Sequence, residues 1–304
     1  MDKIKFIEVM TMNIRTDLAL EAKEIAGNCS GGVKLSSRNY SNMKVTKIKI
    51  TDQQGAKELG KEIGTYITVE FPNLSNVFSN TDSRIEIIGE YIRELLPEDG
   101  TIMVVGLGNL NITPDALGPK STNKILATRH ITGELAKQTG LDKLRSVAVI
   151  APGVLGQTGV ETGELVLSVA KKIKPNAIIA IDALASRRLE RLGCTLQISN
   201  TGISPGAGVG NKRCAINEQT TGVPVIAIGI PTVVDALTLA RDIMPDYIFE
   251  NEIRNEVYPH GEMMVVTPRE IDLMIDRGAQ LISLSVNSAL HHNFNLSDLI
   301  SLMS

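Results

Sequence analysis

Residues 102–119 read IMVVGLGNLNITPDALGP, and this stretch decides the fold. It begins with an apolar run rich in β-branched residues, turns through glycines and ends on an aspartate inside a loop bounded by proline and glycine. A run that is apolar at every position is typical of a strand covered on both faces in a parallel sheet. Three more runs of this kind follow at 147–150, 177–181 and 225–230.

Stretches with helical periodicity, such as 123–139 and 160–173, lie between these runs. The repetition of strand, helix and strand predicts right-handed crossovers and an open sheet. The predicted fold class is therefore α/β, with a doubly wound, mostly parallel sheet and helices on both faces.

Two shorter strands are predicted ahead of this unit, at 44–50 and 66–71, with a helix at 54–63 between them. They either extend the sheet or form a small added β subdomain. Near the end of the chain, Thr267 and Glu270 have the spacing of a capping box and predict a helix over 268–287.

The composition is that of a globular protein, with 43% apolar and 21% charged residues in 304. Lys and Arg total 31 against 34 Asp and Glu, and no basic stripe appears, so direct nucleic-acid binding is not expected.

Cys29, Cys194 and Cys214 are widely spaced without a zinc-site pattern, which indicates reduced thiols. Charged residues at the N-terminus argue against a secretory signal. The longest apolar run, 223–234, is too short to cross a membrane. We therefore expect a cytoplasmic protein.

Aspartates follow three of the predicted strands, and the carboxyl ends of parallel strands are where ligands bind. Asp235 directly precedes a helical stretch and fits an N-cap. Asp182 adjoins a wholly apolar strand, where a carboxylate is poorly hydrated. Asp115 lies in a rigid loop after Pro114. The two candidates for chemistry are therefore Asp115 and Asp182.

Two carboxylates about 4 Å apart repel each other by about 4 kcal/mol at an effective dielectric near 20. That energy corresponds to roughly three pKa units, so such a pair shares one proton. The ionised member can take a proton from water while the protonated member polarises a carbonyl group. A pair of this kind hydrolyses an amide without a metal.

Other motifs in the sequence are weaker evidence of function. The GLGN stretch at 106–109 resembles a dinucleotide fingerprint, but the third glycine position holds Asn111, so a nucleotide cofactor is not predicted. The glycine-rich connection 202–222 predicts a flexible loop or a substrate clamp. His130 is expected on a helix, and His291 and His292 are expected to be solvated.

The chain resembles the germination proteases of spore-forming bacteria, an aspartic peptidase family. The similar segments are 13–19, 106–119, 182–187, 205–213, 222–235 and 266–272. The resemblance implies an endopeptidase that initiates the degradation of small acid-soluble spore proteins, with Asp115 and Asp182 as its catalytic pair and no metal or cofactor. Asn109, Arg187 and Asp235 are candidate supporting residues.

The resemblance also implies a zymogen that cleaves itself near the N-terminus. The matching bond is Asp17-Leu18, which would make residues 1–17 a propeptide and 18–304 a single α/β peptidase domain. A homotetramer in the forespore or spore core and a sheet like that of the hydrogenase maturation peptidases are implied in the same way.

Two alternatives stay open. The hydrogenase maturation peptidases share the arrangement of strand, GxGN and aspartate, and use a metal. A metal-assisted reaction would employ Asp115, Asp182 and His130. The chain could instead be a module that binds spore proteins without cutting them.

Overall fold

The computed structural model describes residues 16–29, 31–74, 83–204, 214–244 and 264–303. Residues 13–15 of the similar N-terminal segment and the glycines of 205–213 lie outside the described residues. The strands of the described residues are β1 Val33–Tyr40, β2 Met43–Ile50, β3 Gly64–Glu70, β4 Ile102–Gly106, β5 Val147–Ile150, β6 Ala177–Ser186, β7 Thr195–Ser199, β8 Val225–Asp235 and β9 Val265–Val266.

All nine strands of the described residues join one sheet. The spatial order is β1-β2-β3-β7-β8-β6-β4-β5, and β9 pairs with β8. The neighbours β5, β4, β6 and β8 run parallel, whereas β1, β2, β3 and β7 form an antiparallel arm that meets the parallel part at β8. The α/β prediction with a parallel central sheet is confirmed, and the added β unit extends the same sheet.

Helices cover both faces of the sheet. Their bounds are α1 Ala19–Ala26, α2 Gln53–Leu59, α3 Ser83–Leu95, α4 Leu117–Thr122, α5 Glu134–Thr139, α6 Leu155–Thr158, α7 Thr162–Ile173, α8 Glu218–Thr221, α9 Ala236–Ile243, α10 Ile271–Leu290 and α11 Leu296–Met303. Along β4, Ile102 and Val104 belong to the core shared with α3 and α10, while Met103 and Val105 face α7. This alternation explains why the run is apolar at every position.

Two strands are longer than the sequence predicted. Strand β6 continues through Asp182 to Ser186, and β8 continues to Asp235. Asp182 therefore lies inside a strand rather than after one. On the neighbouring strand β8, Gly229 is the pairing partner of Asp182.

The predicted helix 123–139 is wrong in its first half. The backbone N–H groups of Thr128 and Arg129 both donate to the Val147 carbonyl oxygen, at 3.0 and 2.9 Å, and this pairing with β5 excludes a helix there. Only Glu134–Thr139 is helical. His130 consequently lies in an exposed turn, not on a helix.

The helix predicted over 268–287 is present as α10, which begins at Ile271. The capping box predicted at its start is wrong, because the Thr267 hydroxyl donates to the Thr232 carbonyl oxygen at 2.9 Å. His291 is 1% exposed, so the expectation that it is solvated is wrong, whereas His292 is exposed.

None of the helices in the described ranges combines the length and the apolar character needed to cross a bilayer.

Candidate active site

A cavity of about 830 Å³ lies at the carboxyl ends of the parallel strands, next to the antiparallel arm. Both predicted catalytic aspartates, Asp115 and Asp182, line it. Asp17 and Asp235 line it too, together with Lys61 and Gln197 from the antiparallel arm. The cavity therefore gathers acids from the loop after β4, the interior of β6, the end of β8 and the N-terminal segment.

Asp115 is positioned by a 3-10 turn, Thr113–Asp115, that folds back over the end of β4. Its Oδ2 atom accepts the backbone N–H of Asn109 at 2.7 Å. Gly108 makes the fold-back possible, because its φ is +112° and a β-carbon there would lie 2.1 Å from the Asp115 carbonyl oxygen. The GLGN motif thus shapes the loop that holds the carboxylate.

Asp182 reaches the cavity from inside β6 and is 8% exposed. Its Oδ1 atom accepts the backbone N–H of Ala183 at 2.9 Å. The backbone N–H of Leu107, which opens the loop to Asp115, donates to the Ile181 carbonyl oxygen at 2.8 Å. The loop that carries one aspartate therefore starts beside the strand that carries the other.

The N-terminal segment is hydrogen-bonded to the end of β6 through Asp17. The Asp17 N–H donates to the Ala185 carbonyl oxygen at 2.9 Å, and the Ala185 N–H donates to Asp17 Oδ2 at 2.7 Å. Leu18 and Ala19 are fully buried behind it. The predicted cleavage sequence is thus held at the wall of the cavity that contains Asp115 and Asp182.

The family model described as germination protease matches residues 7–256. The chain belongs to the germination protease family. Curated germination proteases are similar over nearly their whole lengths. That of Caldanaerobacter subterraneus subsp. tengcongensis is 45% identical, over 93% of this chain and 95% of the relative. That of Clostridium tetani is 43% identical, over 96% and 100%. That of Priestia megaterium is 36% identical, over 95% and 96%. The chain is therefore a member of a peptidase family.

Among solved structures, the chain is similar to the NiFe hydrogenase maturation protease HycI from Thermococcus kodakarensis KOD1. The TM-score is 0.37 and the identity 13%, over 64% of this chain and 98% of that chain.

The three supporting residues predicted from this germination protease pattern have different surroundings. Asn109 lines the cavity, and its Oδ1 atom accepts Gln157 Nε2 at 2.7 Å. Asp235 lines the cavity as well, but its Oδ1 atom accepts the Thr238 N–H at 2.9 Å and caps α9, as its sequence position predicted. Arg187 is not part of the cavity lining and forms an ion pair with Asp242 at 2.9 Å.

Two residues of the germination protease cavity were missed by sequence reasoning. Lys61 lies just after α2, and Gln197 lies on β7 and is 8% exposed. Lys61 Nζ and Gln197 Nε2 donate to the Asp17 carbonyl oxygen, at 3.1 and 3.0 Å. Burial lowers the pKa of the Lys61 ammonium, while the charges of Asp17 and Glu21 oppose that shift. The only sequence signal was the alternation of polar and apolar residues along β7, in which Gln197 is the central polar residue.

No group of three or more His, Cys, Asp or Glu side chains with metal-site spacing occurs among the residues that the structure describes. His130, the histidine of the metal-assisted alternative, is exposed and is not part of the cavity lining.

Proposed function

We propose that this chain is an aspartic endopeptidase that initiates the degradation of small acid-soluble spore proteins during germination. In this proposal it is made as a zymogen in the forespore, assembles as a homotetramer and removes residues 1–17 by cutting its own Asp17-Leu18 bond. The family membership supports the peptidase activity and the spore substrate. One observation carries the proposal furthest: Asp17, Asp115 and Asp182 line one cavity.

The proposed reaction uses the two aspartates in different protonation states. The ionised carboxylate takes a proton from a water molecule, whose oxygen forms a bond to the Asp17 carbonyl carbon as the carbonyl electron pair moves onto its oxygen. The protonated carboxyl donates a hydrogen bond to that oxygen. When the tetrahedral intermediate collapses, the C–N bond breaks and the proton taken from water passes to the Leu18 nitrogen. The products are a carboxyl group on Asp17 and an amine on Leu18.

Replacing either catalytic aspartate tests this reaction. Asp115→Asn and Asp182→Asn should each lower the cleavage rate of a small acid-soluble spore protein by at least about 10³-fold, because an amide can neither take the proton from water nor share one. Gel electrophoresis of timed samples measures the rate, and thermal unfolding checks that each variant is folded.

Asp142→Asn is the matched control, because the same change is made at an exposed aspartate outside the cavity lining. This variant should keep its activity and its melting temperature. Near-normal turnover by Asp115→Asn or Asp182→Asn would remove that residue from the mechanism. Retained cleavage by both variants would show that the aspartate pair is not part of the mechanism.

A further inference from the structure

The Asp17 carbonyl oxygen, which belongs to the bond proposed for cleavage, accepts two side-chain hydrogen bonds. Lys61 Nζ lies 3.1 Å away and Gln197 Nε2 lies 3.0 Å away. Lys61 Nζ also lies 3.1 Å from the Thr16 carbonyl oxygen. A cationic donor and a neutral donor therefore converge on one carbonyl group from two different elements, the end of α2 and β7.

Gln197 contacts the chain on both sides of the Asp17-Leu18 bond. Its Nε2 atom donates to the Asp17 carbonyl oxygen, and its Oε1 atom accepts the Ala19 backbone N–H at 2.6 Å. A single buried side chain thus spans the bond and fixes its carbonyl group relative to the residues that follow.

The segment is also anchored without these two residues. Asp17 exchanges two hydrogen bonds with Ala185, as described above. Glu21 is 1% exposed, and its carboxylate accepts the backbone N–H groups of Arg187 and Arg188 at 2.7 and 3.2 Å. Attachment of the N-terminal helix therefore does not by itself require two donors on the Asp17 carbonyl oxygen.

We infer that Lys61 and Gln197 are catalytic residues that form the oxyanion site of this peptidase, holding the carbonyl oxygen of the residue before the cut. When water adds to the carbonyl carbon, negative charge collects on this oxygen, and donors already placed about 3 Å away stabilise it without reorganising. An oxyanion has three lone pairs, so Lys61 and Gln197 leave one for the protonated aspartate. After Asp17 has left, the same two donors take the carbonyl group of a substrate.

This inference rests on the proposed function, since it assigns the group that stabilises the charge created by the aspartate-activated water. It also gives the antiparallel arm a role in the reaction. That arm would supply the two hydrogen-bond donors, Lys61 and Gln197, and the parallel strands would supply the acids.

Self-cleavage of the full-length chain tests the inference, because the tethered bond has a fixed position and its first-order rate reports the chemistry directly. Gln197→Glu keeps the side-chain length and an acceptor for the Ala19 N–H but loses the donor. Lys61→Met keeps the length and loses the cation, whereas Lys61→Arg keeps a cationic donor. Intact-mass spectrometry of timed samples measures the rate, and thermal unfolding is recorded for each variant.

The expected result is that Gln197→Glu and Lys61→Met each cut about 10²-fold more slowly than the unmodified chain, the loss known for removing one oxyanion donor. Lys61→Arg should recover most of the rate. Gln138→Glu and Lys57→Met are the matched controls, because both positions are exposed and outside the cavity lining, and both variants should cut normally.

Wild-type rates in Gln197→Glu and Lys61→Met, with Asp115→Asn inactive, would overturn the oxyanion site and leave the proposed function standing. Cleavage by Asp115→Asn would count against the proposed function instead. A slow cut in Lys61→Met that Lys61→Arg does not restore, accompanied by an equal loss of thermal stability in both, would mean that Lys61 only anchors the segment. If Lys61→Met does not fold, the self-cleavage rate of Gln197→Glu alone decides whether the oxyanion site exists.

Discussion

Two aspartates that look alike in the sequence reach the cavity by different routes. Asp182 projects from the interior of β6, where the ladder with Gly229 of β8 fixes its backbone. Asp115 is held by a 3-10 turn and by the N–H of Asn109. The position of Asp115 therefore depends on a short loop, and the position of Asp182 depends on the whole sheet.

Gly108 is the residue on which that loop depends most. Gly108→Ala should lower the free energy of unfolding by about 3 kcal/mol, the sum of strain at positive φ and of overpacking against the Asp115 carbonyl oxygen. Gly159→Ala should lose only about 1 kcal/mol, because Gly159 has an ordinary left-handed conformation and nothing lies within 4 Å of its β-carbon position. Urea unfolding measures both, and equal losses would show that the close approach to Asp115 does not matter.

His291 should make stability depend on pH in the acidic range. Burial lowers its pKa to about 4, and the charges of Arg145 and His292 act in the same direction. The unfolded chain, with a pKa near 6.5, binds a proton that the folded chain excludes, so this contribution is complete above about pH 6.5 and is lost as the pH falls toward 4.

The loss amounts to about 3 kcal/mol, since one pKa unit corresponds to about 1.4 kcal/mol. His291→Gln, which stays neutral, should flatten the dependence of the unfolding free energy on pH between about pH 6.5 and pH 4. Identical slopes for the two chains would contradict the lowered pKa.

Helix α1 is joined to the rest of the molecule by buried charge. Arg191 is 7% exposed and contacts Glu21, Glu24 and Glu70 at 3.3, 2.6 and 3.0 Å, so it links α1 to β3. Arg191→Met should lower the free energy of unfolding by about 3–5 kcal/mol, because Glu21 stays buried without its cation. Arg188→Met removes only an exposed ion pair with Glu190 and should change stability by less than about 1 kcal/mol.

Thermal and chemical unfolding of the two arginine variants compare these losses. A small effect of Arg191→Met would mean that the backbone N–H groups of Arg187 and Arg188 are sufficient to hold the Glu21 carboxylate.

The parallel strands were the easiest elements to find from the sequence, because burial on both faces makes their predicted runs apolar at every position. Strand β7 was missed because it is only five residues long and three of them, Thr195, Gln197 and Ser199, are polar although all three are buried. Strand β1 was missed because it is polar and largely exposed. The helix at 123–139 was predicted wrongly because a backbone contact to β5 overrides local periodicity there.

The residues of the candidate site also fall into those that the sequence identified and those that it did not. Asp115, Asp182 and Asp17 could be named from strand ends and family resemblance, since both depend on local sequence. Lys61 and Gln197 could not, because their relation to Asp17 arises only when distant elements pack together.

At the scale of the whole molecule, the cavity lies where the antiparallel arm meets the parallel sheet. The pairing of β7 with β8 forms this boundary, and residues from both sides line the cavity. The β unit that the sequence placed as an addition is therefore part of the site. Its Lys61 and the Gln197 of β7 contact the same N-terminal segment that is hydrogen-bonded to β6.

The most direct test of this account is intact-mass spectrometry of the full-length chain as it processes itself, after verified metal removal and in the presence of a strong chelator. The account predicts a product that begins at Leu18, formed at the same rate as without chelator, because two aspartates activate the water. Loss of cleavage that added metal restores would favour the metal-assisted reaction. A chain that keeps Met1 under all conditions, or that is cut elsewhere, would contradict the account.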